Sequence, residues 1–379
     1  MIPYGRQEIR DEDIEAVISV LKSDFITTGP QIELFESEFA GYCGSAYAVA
    51  VSSGTAALHL AYLCAGLKKG SKALTSAITF AATSNAALYC GADMLFSDID
   101  PDSYIFDIDE ISEELENNNV DLIAPVHMAG YPVNTEKLHQ LSQKAGFKIV
   151  EDACHAPGSY YIDSKGEKVK AGSCTYSDMT VFSFHPVKHI TSGEGGMITT
   201  NDKAAYERLK RLRSHGVRKS IHGRPAWYYE MTEQGFNYRM TDFQAALGRK
   251  QLSRLDSNII RRRQLADNYY RELSELPLKL PKIREGFFHS YHLYIIQADE
   301  RDSLYNFLAE KDIHCQVHYM PVYRHPYYEE QFGRKNYCPV AEKYFARCIS
   351  LPIYHAMKDE EQETVINAIK DFFKKQKTK

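Results

Sequence analysis

Short apolar runs alternate with helical segments through the first two-thirds of this chain, and that alternation restricts the fold more than any other feature. AYAVAVSS is a continuous apolar run, suited to a strand buried on both faces, and TAALHLAYLCAGL follows it as a helix. KALTSA, FAATSNAALYCG and ADMLFSDID repeat the pattern as strand, helix, strand. VDLIAPVHM, FKIVEDA and MTVFSFH read as further strands, with EKLHQLSQKAG a helix between the first two. Ahead of them DIEAVISVLKSD has apolar residues at helical spacing, with Asp11 as its expected N-cap. Units of this kind imply an α/β fold with a mostly parallel sheet covered on both faces. Ligands in such sheets collect at the carboxyl ends of the strands, so residues just after each strand carry the most weight.

Beyond about residue 240 the pattern changes. TDFQAALGRKQLSRLDSNIIRRRQLADNYYRELSEL reads as one long helix, followed by strands SYHLYIIQA and HCQVHYM and a terminal helix EEQETVINAIKDFFKKQ. A chain of 379 residues is long enough for two buried cores. The expected division is a large α/β domain over 1–250 and a smaller α+β domain over 251–379.

Several function classes are disfavoured at the outset. Lys+Arg 45 against Asp+Glu 50 leaves a net charge of −5, the wrong balance for a general nucleic-acid binder. The basic KKQKTK reads as a solvated tail. No apolar run approaches membrane-spanning length, and MIPYGRQEIRDEDIE is charged where a signal core would be apolar. A cytoplasmic protein without membrane attachment is expected. The eight cysteines have neither CxxC nor metal-like spacing, which suits reduced, packed thiols and no bound metal. HExxH, the P-loop, GxGxxG and GxSxG are all missing from the sequence.

Three clusters remain. Ser53-Gly54-Thr55-Ala56 lies between a strand and a helix, where free N–H groups and hydroxyls make an anion site, or a plain helix cap. Glu151-Asp152-Ala153-Cys154-His155 ends a strand; its carboxylate can keep a ring nitrogen protonated and its histidine can bond a ring oxygen, or it is an acidic loop. Ser183-Phe184-His185-Pro186-Val187-Lys188-His189 and the Gly-rich turn after it place a lysine behind a strand. A desolvated lysine amine is a nucleophile for carbonyls, whereas most lysines are solvated. Phosphate cradle, then Asp, then Lys 36 positions later is the order expected of a pyridoxal phosphate (PLP) site.

IPYGRQ, SDFITTGP, SSGTAALHLA, TFAATSNA, EDACHAPGS, SFHPVKHITSGEGG, LRSHG, GFNYRMTDFQAALG and HCQVHYMPVY extend this order along the whole chain. With them the sequence resembles the DegT/DnrJ/EryC1/StrS family of fold-type-I, PLP-dependent sugar aminotransferases, and within it the pseudaminic-acid branch. His185-Pro186-Val187-Lys188 points to that branch, because many other members have a Tyr-Pro-Thr-Lys-style segment there.

The resemblance implies that Lys188 forms the Schiff base, Asp152 pairs with the pyridine nitrogen and His155 lies near the ring hydroxyl. It implies Phe80 stacked on the cofactor face, with Gly54, Thr55, Ala56 and Ser183 on its phosphate. Asn237 would reach that phosphate from a partner subunit, making a homodimer with shared sites. Sugar-nucleotide contacts are implied for Tyr4, Asp24, Phe25, Ile26, Thr27, Ser53, Ser183, Gln316, Val317, His318 and Tyr319, with His185 and Asn237 beside them. The implied reaction moves an amino group from L-glutamate to C4 of a UDP-4-keto-6-deoxy-N-acetyl-hexosamine. Basic groups near Arg213, His215, Arg239, His318 and Arg324 would have to attract that anionic substrate. Competing readings are an aminotransferase for another keto-nucleotide sugar, a family dehydratase (which carries His in place of the lysine) and a non-catalytic protein on the same fold.

Overall fold

The computed structural model describes residues 1–108, 111, 115, 119–219, 221–333 and 337–376. Its frame is a seven-stranded sheet: β1 (Tyr47–Val51), β2 (Lys72–Ser76), β3 (Asp93–Ser97), β4 (Leu122–Ala124), β5 (Lys148–Asp152), β6 (Met179–Ser183) and β7 (Gly196–Thr200). The spatial order is β1-β7-β6-β5-β4-β2-β3. From β3 to β6 every neighbouring pair is parallel, while β7 runs antiparallel to both β6 and β1. The mostly parallel sheet is therefore as expected. Six strands end at one edge, and β7 starts there.

The strands form because their side chains are buried on both faces, β7 completely and β1 to all but its first residue. Alternation then decides which face each β6 residue serves. Phe182 and Phe184, each 1% exposed, pack into Phe39 and Phe35, with ring centroids 4.9 and 5.1 Å apart. Burying each such ring stabilises the fold by about 1.5–3 kcal/mol. Ser183 between them is thereby turned the other way, toward the strand-end cavity. A second apolar cluster joins helix Leu255–Leu273, strands Tyr294–Gln297 and Cys348–Leu351, and helix Asp359–Gln376.

Three local expectations are corrected. The first helix spans Asp11–Leu21 with Arg10 as N-cap, because the Asp13 carboxylate accepts the Arg10 N–H at 2.9 Å. The long helix is two, Asp242–Leu252 and Leu255–Leu273. At the break Ser253 Oγ bonds the Lys250 carbonyl at 2.7 Å, and the Arg254 guanidinium turns to the buried Asp13. HCQVHYM is not a strand through its length: Ile313–His314 pairs with Ile2–Pro3 and Gln316 bridges Ser350, after which the chain leaves the ladder. All eight cysteines are free. Among the described residues no helix is long and apolar enough to cross a membrane.

Candidate active site

A cavity of about 420 Å³ opens at the carboxyl edge of the sheet. Its floor begins with helix Gly54–Cys64, which starts straight after β1. Ser53 caps that helix, its Oγ accepting the Ala56 N–H at 3.1 Å. The Ala56 amide is thus engaged and its side chain buried, and Ala56 does not line the cavity. Gly54 and Thr55 do line it, at the positive end of the helix dipole. Ser183 stands opposite. The close approach requires glycine: a Cβ on Gly54 would lie 2.8 Å from Ser183 Cβ, and one on Gly196 would lie 2.4 Å from the Ser53 carbonyl.

Asp152 ends β5 at 6% exposure. Its Oδ2 accepts the Thr83 hydroxyl at 2.7 Å and its Oδ1 accepts the Cys154 N–H at 3.1 Å. Thr83 is held in turn by Thr79, oxygen to oxygen at 2.8 Å. The carboxylate is therefore oriented by two donors, one on helix Ala81–Tyr89 and one in the turn that follows β5. Behind it, Glu151 faces the other side of the sheet, bonded to His127 Nε2 at 2.7 Å and Thr180 at 2.9 Å. Burial alone would raise the Glu151 carboxyl, but those partners hold it below its ordinary range.

Lys188 follows β6 and lines the same cavity. Desolvation lowers its affinity for a proton, although nearby Cys154 and Asp152 pull the other way. The result favours a free amine nearer neutrality than an ordinary lysine. Phe80, 60% exposed at the N-terminus of helix Ala81–Tyr89, supplies an aromatic wall, its ring 6.1 Å from that of Tyr319. An exposed aromatic inside a cavity is a surface awaiting a planar partner.

His155 is buried, its Nδ1 accepting the Ala129 N–H at 3.3 Å and its Nε2 lying 3.3 Å from Tyr319 Oη. Burial first, then Lys188, His318 and His189, push its proton affinity well below that of a free histidine. His318, held by Ser350 Oγ at 2.8 Å, is depressed to about 3 by burial and by Lys188. Burial also raises the Tyr319 hydroxyl and the Tyr4 hydroxyl.

The cavity therefore brings together Tyr4, Ser53, Gly54, Thr55, Phe80, Asp152, His155, Ser183, His185, Lys188, His318 and Tyr319. It does not gather Gln316 or Val317. Asp24, Phe25, Ile26 and Thr27 are exposed on the surface, where Thr27 bridges Thr241. Through that bridge Thr27 is linked to the cavity, since Thr241 donates to Gln244 and Gln244 donates to the carbonyl of cavity-lining Glu194. Asn237 is exposed outside the cavity, bridging Ser214. Two of the basic groups expected near an anionic substrate are engaged elsewhere: Arg213 with Glu36 and the Ala50 carbonyl, Arg324 with Glu342. Sequence reasoning missed Thr83 and His292, both in the cavity wall.

These residues fit PLP on their own chemistry. A dipole-backed anion cradle, an aromatic wall, a buried carboxylate held by two donors and a desolvated amine surround one space of suitable size. The comparisons agree. A family model for DegT/DnrJ/EryC1/StrS aminotransferases matches residues 7–370. The chain belongs to that family. It is 35% identical to the spore coat polysaccharide biosynthesis protein SpsC of Bacillus subtilis, over 98% of this chain and 97% of that one. Among solved structures it resembles Helicobacter pylori PseC, an aminotransferase involved in the biosynthesis of pseudoaminic acid, at TM-score 0.89 and 28% identity, with 99% of each chain covered. It also resembles the putative sugar aminotransferase Spr1654 of Streptococcus pneumoniae in its PMP form, at TM-score 0.90 and 28% identity, over 99% of this chain and all of that one. The protein is a fold-type-I, PLP-dependent aminotransferase.

Proposed function

We propose that the protein transfers the amino group of L-glutamate to C4 of a UDP-4-keto-6-deoxy-N-acetyl-hexosamine, as a step of pseudaminic acid biosynthesis. The observation that carries amino transfer is the meeting of Lys188, Asp152 and the Ser53–Thr55 helix start in one cavity. The likeness to PseC supports the sugar. When bound, PLP supplies an electron sink for negative charge at the carbon that loses or gains the amine.

The chain's residues do the rest. Gly54, Thr55 and Ser183 bind the phosphate, and Phe80 orients the ring. Asp152, aimed by Thr83 and Cys154, holds a proton on the pyridine nitrogen. Lys188 binds the cofactor through its amine. Once freed, Nζ accepts a proton from Cα of the amino donor, and in the second half-reaction it delivers one to C4 of the sugar. Its lowered proton affinity suits both tasks. Tyr4, His185, His318 and Tyr319 line the side from which a sugar would enter. We further propose a cytoplasmic homodimer, with Asn237 and the exposed Asp24–Thr27 segment completing the partner's site. Phe25 and Ile26 are large apolar groups more than half exposed, which supports burial against a second copy.

A second reading, a different keto-nucleotide sugar, rests on one observation: the chain is 35% identical to SpsC, named for spore coat polysaccharide biosynthesis, and 28% identical to PseC. An absorbance scan of the purified protein separates the two. L-Glutamate should discharge the visible band of lysine-bound PLP, and the UDP-4-keto-6-deoxy-N-acetyl-hexosamine should restore it. Discharge without restoration by this sugar selects the second reading. No band after added PLP sinks both.

A further inference from the structure

Three groups meet the imidazole of His155. The Ala129 amide points at Nδ1 from 3.3 Å, and Tyr319 Oη lies 3.3 Å from Nε2. The ring of His292, a cavity-lining residue 4% exposed, lies against it at 4.3 Å between centroids and 40° between planes. An amide N–H can only donate, so Nδ1 must offer its lone pair, and in a neutral ring the single proton then sits on Nε2. The burial described above keeps the ring neutral.

Ala129 reaches this position in the left-handed region, φ 59° and ψ 0°, a conformation costly for a residue with a Cβ. Its neighbours over-determine it. The Ala129 carbonyl accepts the Leu293 N–H at 3.2 Å, and the Gly130 carbonyl accepts the Ser290 N–H at 3.1 Å and the Ser159 hydroxyl at 2.7 Å. Segment 290–293, which carries His292, is thus docked on the same turn that presents the Ala129 amide. From behind, Arg262, 1% exposed, donates Nη1 to the carbonyls of Tyr291, His292 and Ile353 at 3.2, 3.3 and 2.9 Å. One rigid unit therefore holds two contacts to His155.

We propose that Ala129 and His292 are positioning residues that hold His155 as an Nε2–H donor directed into the cofactor cavity, the Ala129 amide selecting the tautomer and the His292 ring fixing the imidazole plane. What that donor meets during the reaction rests on the function proposed above; the tautomer itself does not. In the chain alone Tyr319 Oη occupies the donor. A role for His292 in packing alone would leave the tautomer unmoved.

The test is nitrogen NMR of PLP-loaded enzyme carrying ¹⁵N-histidine, with His155 signals assigned from a His155→Gln sample. Nε2 should show a protonated-type shift and Nδ1 a bare-type shift. His292→Phe, which keeps an aromatic ring against His155, should preserve that single state. His292→Ala should give both tautomers or exchange-broadened signals. A proton on Nδ1 in the wild type overturns the tautomer assignment. An unchanged pattern in His292→Ala, or a scrambled one in His292→Phe, overturns the role of the ring. Should His292→Ala fail to fold, the wild type and His292→Phe still decide. Cofactor absorbance is recorded on the same samples: a wrong tautomer with the band intact refutes only this inference, whereas a missing wild-type band refutes the proposed function.

Discussion

The two ends of the cavity are built differently. At the cofactor end the groups are held by contacts inside one chain: Ser53 caps its helix, Asp152 has two donors, and His155 is met on both nitrogens. The outer end is open. His185 in its lining is exposed, as are Asn237 and Asp24–Thr27 outside it, and Arg213 and Arg324 are committed to internal partners. The difference follows from the chemistry each end must perform. An amine acts with a shifted proton affinity only when dry, and a carboxylate meets a ring nitrogen only when held, both of which need dense packing. The sugar nucleotide proposed above would have to enter and leave, which suits contacts on exposed surfaces that the proposed second copy would complete.

The largest expected effects lie at the closed end. Lys188→Ala should abolish turnover, since among the described residues it is the one lysine lining the cavity; a fully active variant refutes the whole assignment. Asp152→Ala should lose about 100-fold or more in kcat, the scale of removing one preorganised charge, while retaining some bound cofactor. Activity near wild type would remove Asp152 from its role. Thr83→Val should cost roughly 10-fold, because losing one hydrogen bond to a charged group is worth about 1.5–3 kcal/mol, of which only a part reaches the barrier. Thr83→Ser should recover it. Equal activity in Val and Ser variants would mean that Asp152 is held by its backbone contacts alone.

The open end calls for a different kind of test, mixing chains. Asn237→Ala should lower activity less than any change at Lys188 or Asp152. Refolding it together with Lys188→Ala should then give turnover above the mean of the two parents. In such a mixed dimer one site takes Lys188 from one chain and Asn237 from the other. No such gain, with mixed dimers shown to form, would place Asn237 outside the site and make the two ends equally self-contained.

The same contrast explains what could be read from sequence. Ser53–Thr55, Asp152 and Lys188 lie at the ends of apolar strands or within five residues after them, so a local pattern together with the α/β rule placed them at one edge. Thr83 was illegible because its partner lies 69 positions away, and TFAATSNA reads as an ordinary helix start. His292 was hidden in SYHLYIIQA, whose apolar tail announces a strand but not what its first residues touch. HCQVHYM misled by alternation: its period of two suits a strand, but His318 and Tyr319 leave the ladder and line the cavity, where Tyr319 meets His155 across 164 positions. Signals local in sequence were legible, and contacts between distant segments, such as Thr83 with Asp152 and Tyr319 with His155, were not.

That docking has a measurable signature in acid, smaller than the effects above. His318 binds its proton at about 3 in the folded chain, against about 6.5 for a free histidine, because burial and Lys188 oppose its charge. The unfolded chain therefore takes up a proton at His318 below pH 6.5 and the folded chain does not, so stability falls as pH drops from 6.5 toward 3. At pH 5 the loss from His318 alone is about 2 kcal/mol, at 1.36 kcal/mol per pH unit. His155, His189 and His292, all depressed first by burial, add to it in the same direction. Surface carboxylates with lowered affinity, such as Asp100, lose their contribution only at lower pH, near their ordinary range. Urea midpoints at pH 7 and pH 5 should differ accordingly, and His318→Gln should shrink the difference by about 2 kcal/mol. A difference unchanged by His318→Gln would mean that acid hydrates this pocket before the chain unfolds, and that the cavity is open where the packing of Tyr4, Tyr319 and Tyr344 around His318 makes it closed.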